Sequence, residues 1–72
     1  MRLRLYGRSE CHLCHEMAQA LRLRGVAFDE IDVDRSPELK ERYGRFVPVL
    51  TDGNGRELCR LRLDDAALRQ IP

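Results

Sequence analysis

The chain has 72 residues, 43% of them hydrophobic and 35% charged, with 13 basic against 12 acidic side chains for a net charge of +1. That describes one small globular domain and excludes a disordered tail, a multidomain machine and, with no block of basic residues, a phosphate-tracking nucleic-acid binder. No stretch approaches the roughly 20 apolar residues of a membrane span, and Met1-Arg2-Leu3-Arg4 leads into no apolar leader, so a cytoplasmic protein with neither membrane nor nucleic acid as partner is expected.

Arg2-Leu3-Arg4-Leu5-Tyr6 alternates polar and apolar with period two, which predicts a first strand with Leu3 and Leu5 on one face, ended by Gly7. From Cys11 to Arg24, Leu13, Met17, Ala20 and Leu21 fall at helical spacing. Cys14, Ala18 and Leu21 form an adjoining stripe, and Gly25 is placed as the stop. Val26 to Val33 reads as a second strand whose apolar parity changes between Phe28 and Ile31, predicting a bulge or burial on both faces. Ser36 as N-cap, Pro37 at the first helical position, and Glu38 and Glu41 near the positive end predict a short helix to Tyr43, closed by Gly44. Val47 to Thr51 and Glu57 to Leu63 flank the turn cluster Asp52-Gly53-Asn54-Gly55 and read as an antiparallel hairpin. Asp64 is the expected N-cap of a last helix through Gln70, with Leu63 and Leu68 as a hydrophobic staple. The order β-α-β-α-β-β-α predicts a single α/β domain over residues 1–72. A right-handed parallel crossover and a closing hairpin would build one mixed four-stranded sheet with helices on its faces.

Cys11, Cys14 and Cys59 are an odd number, and the first two form a C-x-x-C, unlike the disulfide framework of a small secreted domain. The pair follows strand one and opens the first helix of a β-α-β unit, the setting in which this motif reads as redox chemistry. Unpaired N–H groups and the helix dipole favour a thiolate at Cys11, to which Arg8, and His12 when protonated, would add positive potential. Cysteines in such settings have pKa values of roughly 3.5–7.5, against about 8.5 when unperturbed. Cys14, one turn further on, would stay protonated longer and reach the Cys11 sulfur as the resolving thiol.

Other readings of the same residues are weaker. C-x-x-C-H is completed by His15, but haem attachment needs export and an all-helical shell. Zinc on Cys11, Cys14, His15 and Cys59 lacks a second compact ligand pair. Cys59 shares strand parity with Leu61 and Leu63 and reads as a small buried hydrophobe, with a third redox thiol as the alternative, while His12 and His15 read as solvent-facing bystanders rather than bases. Arg2, Arg4, Arg60 and Arg62 read as the solvated faces of two strands, and Tyr6 either lines the site or packs in the core.

The chain resembles the thioredoxin fold and, within it, the glutaredoxin-like family of short bacterial proteins. The matching residues are Leu5-Tyr6 then Arg8, the Cys11/Cys14 pair, Phe28 to Asp34, Tyr43-Gly44 followed by Val47-Pro48-Val49, and Asp64-Asp65. The resemblance implies a cis bond before Pro48, a proline facing the cysteine pair, and a Val47 backbone that pairs with substrate. A cis proline at a strand start would leave the Val47 N–H and carbonyl unpaired and exposed. It also implies that Arg8, Asp64 and Asp65 stand where glutathione-binding members hold that tripeptide. Two departures count against glutathione: Val47 replaces a threonine, and Leu61-Arg62 stand where a glycine pair would be. The motif also lacks the family's usual proline, with His12-Leu13 between the cysteines.

The expected function is therefore that of a monomeric thiol–disulfide oxidoreductase without metal or organic prosthetic group. Cys11 and Cys14 would be catalytic, with Arg8, His12, Val47, Pro48, Asp64 and Asp65 around a disulfide-containing protein or small-molecule thiol. Glutathione remains a candidate co-substrate. The alternatives are a non-catalytic module that holds a peptide on the Pro48 surface, and a zinc or iron–sulfur protein.

Overall fold

Strand β1 (Leu3–Gly7) lies inside the sheet, because the chain supplies it with a neighbour on each side. The computed structural model describes residues 2–71. After β1 come helix α1 (His12–Leu23), strand β2 (Phe28–Asp32), a 3-10 turn (Val33–Arg35) and helix α2 (Pro37–Tyr43). The hairpin β3 (Val49–Thr51) and β4 (Glu57–Arg60) and helix α3 (Asp65–Gln70) complete the expected order. The sheet runs β2-β1-β3-β4, with β1 parallel to β2 and antiparallel to β3, and β3 antiparallel to β4. Among the described residues no helix is long and apolar enough to cross a membrane.

The period-two pattern of β1 sorts its side chains into two cores. Leu3 and Leu5 join Met17, Ala18 and Leu21 of α1, Leu50 of β3, Cys59 of β4 and Ala67 of α3. Tyr6 points the other way, into a cluster with Cys14, Val33, Tyr43, Val47 and Val49. Leu3, Leu21 and Leu50 are wholly buried, and each such side chain contributes about 1.5–3 kcal/mol of hydrophobic stabilisation. Of the expected helical stripe, Leu13 at 44% exposed and the half-buried Ala20 lie outside both cores, because α1 turns Cys14, Met17, Ala18 and Leu21 inward.

Helix boundaries follow the caps read from sequence. At the end of α1, Gly25 takes φ +71; its N–H donates to the Arg22 carbonyl at 3.0 Å and that of Val26 to the Leu21 carbonyl at 3.0 Å. This paired pattern is a Schellman closure, which favours glycine at the positive-φ position. The Ser36 hydroxyl accepts from Leu39 N–H at 3.3 Å to start α2, and the Asp64 carboxylate accepts from Ala67 N–H at 2.8 Å to start α3. Arg22 ties α1 to the edge strand by pairing with Glu30 and lying over the Phe28 ring.

The structure settles the open choice in β2 and alters the expected hairpin. The β1–β2 register runs unbroken from Leu3 opposite Phe28 to Gly7 opposite Asp32, so the parity change in β2 marks burial on both faces, with Phe28 against the first cluster and Ile31 against the second. The bulge lies instead in the hairpin, where Thr51 opposes Glu57 and Leu50 opposes Cys59, leaving Leu58 as the extra residue. Strand β4 stops at Arg60 rather than Leu63: Arg62 N–H donates to the Arg60 carbonyl at 2.7 Å and Leu61, between them, takes φ +67. That three-residue turn is the strained kind of γ-turn, and a non-glycine residue in such a region costs on the order of 1–3 kcal/mol.

Candidate active site

Cys11 is the N-cap of α1, and its Sγ accepts the Cys14 N–H at 3.1 Å. A sulfur in this place receives an otherwise unpaired helix donor and sits in the field of about half a unit of positive charge. Cys11 and Cys14 form a disulfide with their Cα atoms 5.2 Å apart. They differ in access: Cys11 is half-buried, whereas Cys14 is 6% exposed. Cys14 is pressed against the end of β1, since a Cβ on Gly7 would stand 3.0 Å from its sulfur. Gly7 thus supplies close approach as well as ending the strand, a role its place before the motif could have suggested.

The segment between β1 and the pair is held from two sides. Cys11 N–H donates to the Arg8 carbonyl at 3.3 Å, and His15, exposed as expected, has its Nε2 2.7 Å from the Ser9 carbonyl and so is tied to the loop. His12 is exposed in the first turn of α1. Arg8 pairs with Asp34 at 3.2 Å, while its buried Nε has no partner among the described residues. A cavity of about 430 Å³ beside Cys14 is lined in part by Gly7, Arg8, His15, Asp32 and Arg35. Tyr6 lies in the same core cluster as Cys14 and stacks on Tyr43 with ring centres 4.3 Å apart.

Val47 packs in the cluster that contains Cys14, and the half-buried Cys11 packs against that cluster. The Val47–Pro48 peptide bond is cis. Val47 makes no backbone hydrogen bond among the described residues, but it is less open than the resemblance implies, at 8% exposed, because Tyr6, Tyr43 and Val49 enclose it. Pro48 is wholly buried, and its carbonyl accepts from Leu61 N–H at 2.8 Å. The Asp64 carboxylate is engaged in capping α3, and Asp65 is exposed in the first turn of that helix.

Cys59 is not brought to the pair. It packs in the other core cluster, where burial first, then the charges of Asp64 and Glu57, push its thiol up to about 11, although an Asp64 backbone hydrogen bond opposes them. The four side chains considered for zinc therefore do not converge, and among the described residues no three metal-ligating side chains gather. Sequence reasoning missed Asp34 as the partner of Arg8 and the turn at Leu61. The first has no local spacing signal, and a leucine gives no sign of positive φ.

The pattern of the glutaredoxin-like domain family (DUF836) matches residues 2–71. The chain belongs to the glutaredoxin-like family. It is similar to the glutaredoxin-like protein NrdH of Escherichia coli (strain K12), with 38% identity over 58 residues, 75% of this chain and 72% of that protein. Among solved structures, protein Ne2328 from Nitrosomonas europaea superposes with a TM-score of 0.85 at 34% identity, covering 99% of this chain and 91% of that one. The glutaredoxin-like protein NrdH-redoxin from Escherichia coli, described as having a thioredoxin-like activity profile, superposes with a TM-score of 0.77 at 33% identity, covering 100% and 97%. With a Cys11–Cys14 pair at the start of α1, this glutaredoxin-like protein is a thiol–disulfide oxidoreductase.

Proposed function

We propose that the reduced protein passes two electrons to a disulfide in a polypeptide or small molecule, with Cys11 as the nucleophile and Cys14 as the resolving thiol. The Cys11 thiolate attacks one sulfur of the substrate bridge; that bridge breaks, and the departing thiolate takes a proton from solvent. Cys14 then gives its proton to solvent, attacks the Cys11 sulfur and expels the second substrate thiolate, which is protonated in turn. Counted from the Cys11 thiolate form, the protein loses two electrons and the one proton of Cys14, and the substrate gains two electrons and two protons, the second drawn from solvent. The reading is carried by the Cys14 N–H directed at Cys11 Sγ, 3.1 Å away, at the helix start. The same donor and dipole favour a thiolate once the bridge is open. The second step gains from proximity, with the two Cα atoms 5.2 Å apart.

Around the pair, we assign the substrate-facing positions to exposed His12, the unpaired backbone of Val47 with Pro48 behind it, Arg8 and Asp65. Asp64 offers its backbone, its carboxylate being engaged in the α3 cap. No metal or organic prosthetic group enters this scheme, and glutathione would enter it as a co-substrate in place of a polypeptide. The proposed setting is a monomer in a bacterial cytoplasm, supported by the bacterial origin of the relatives and a cysteine set unlike a secreted framework.

Alkylation of the reduced protein by iodoacetamide across pH tests the nucleophile. The Cys11 midpoint is expected between about 3.5 and 7.5, and one at or above about 8.5 overturns the assignment. A Cys14→Ser variant should accumulate a mixed disulfide with substrate, and a Cys11→Ser variant should not.

A further inference from the structure

The exchange leaves one proton to be accounted for. Cys14 must lose it to attack the Cys11 sulfur, yet Cys14 is only 6% exposed and its sulfur is pressed against Gly7. Cys14 does border the cavity of about 430 Å³, which has room for several water molecules at about 30 Å³ each. His15 lines the same cavity and is exposed, so it borders both the enclosure of the thiol and bulk water.

The hydrogen bond of the His15 ring fixes its chemistry. Nε2 lies 2.7 Å from the Ser9 carbonyl, and a carbonyl can only accept, so Nε2 carries the hydrogen. In the neutral ring Nδ1 is then the bare nitrogen and the acceptor. The other ionisable groups around the cavity are engaged or unsuited. Glu30 pairs with Arg22, Asp32 accepts the Asp34 N–H at 2.9 Å, and Arg8 pairs with Asp34. Arg35 is a cation with no lone pair to offer. Near neutral pH a carboxylate is too weak a base to draw a proton from a thiol, and an imidazole is the side chain best matched to the task.

We infer that His15 Nδ1 takes up the Cys14 proton, through water in the cavity, as Cys14 attacks Cys11. The S–H bond of Cys14 breaks and an N–H bond forms on the ring. The electron pair left on Cys14 makes the new bond to Cys11 Sγ, and the substrate sulfur leaves with the pair of the bond that breaks. Exposed His15 then returns the proton to solvent, and its Nε2–H stays on the Ser9 carbonyl throughout. The inference rests on the dithiol exchange proposed above and adds the route by which its proton departs.

The test is stopped-flow mixing of the reduced protein with one equivalent of dithiobis(nitrobenzoate), an aromatic disulfide whose free thiolate is coloured. One thiolate departs on attack by Cys11 and the other on resolution by Cys14, so the second phase reads the inferred step. In the wild type that phase should lose rate on acidification between about pH 8 and 5, where imidazoles titrate, and level off above that range. In His15→Gln and His15→Asn it should be slower by about tenfold or more near neutral pH. It should also rise by about tenfold per pH unit until Cys14 itself titrates, since only preformed thiolate then attacks. A glutamine amide can still donate to the Ser9 carbonyl, so a part confined to tying down the loop would leave His15→Gln like the wild type. Asp32→Asn and Glu30→Gln should keep the wild-type profile. A His15→Gln second phase with the wild-type rate and pH profile overturns the inference, as does the same loss appearing in Asp32→Asn instead; both leave the exchange chemistry intact. A wild type that releases the first thiolate and never the second overturns Cys14 as the resolving thiol, and with it the exchange reading itself.

Discussion

Cys14 and Cys59 are equally hidden, each 6% exposed, yet their surroundings give them different chemistry. Cys14 sits one turn into α1 with its sulfur against Gly7 and bridged to Cys11, while Cys59 packs among Leu3, Leu50 and Ala67. Burial raises the Cys59 thiol from about 9.0 to about 11, so on raising the pH the unfolded chain gives up this proton before the folded one does. The stabilisation is complete below about pH 9 and declines between 9 and 11. Thermal unfolding across that window should show a falling midpoint, and Cys59→Ala, less stable by about 1 kcal/mol at neutral pH, should lack that component. At this scale the sequence was legible where placement follows from spacing: the pairing of Cys11 with Cys14 at the helix start and the buried character of Cys59. It was not legible for Arg8, because an arginine three residues before a cysteine gives no notice of the Asp34 carboxylate that the 3-10 turn brings beside it.

For whole elements, capping residues and periodicity carried the reading. Ser36, Asp64 and Gly25 each perform the end-capping task that their side chains, or lack of one, suit. Asp64 and Asp65 are neighbours at the start of α3 with different duties, and substitution should separate them. Asp64→Ala removes the bond to Ala67 N–H and should cost about 1 kcal/mol in urea unfolding; Asp65→Ala should stay within about 0.5 kcal/mol. Equal losses would mean that the cap contributes little. What escaped the pattern was the end of β4. Cys59, Leu61 and Leu63 alternate as a strand should, and the turn that breaks the alternation is centred on a leucine. Leu13 escaped for a related reason, since helical spacing marks a stripe but does not say how wide a stripe the sheet will cover.

Over the whole molecule, β1 and β3 are the inner strands and β2 and β4 the edges. Leu5 and Leu50 face each other across the β1–β3 pairing with almost no solvent contact. Amide hydrogen exchange followed by NMR should therefore be slowest at these two residues and faster at exposed Asp29 and Glu30 of the edge strand, because inner strands open only with the fold as a whole. Uniform exchange across the four strands would contradict the two-core arrangement.

The strand order has a consequence for synthesis. Translation delivers the two reactive sulfurs early, at positions 11 and 14, but Val47 and Val49 of their enclosure arrive some thirty residues later. A nascent polypeptide halted before that point carries its thiols without this shelter, open to whatever oxidant or partner the ribosome's surroundings contain.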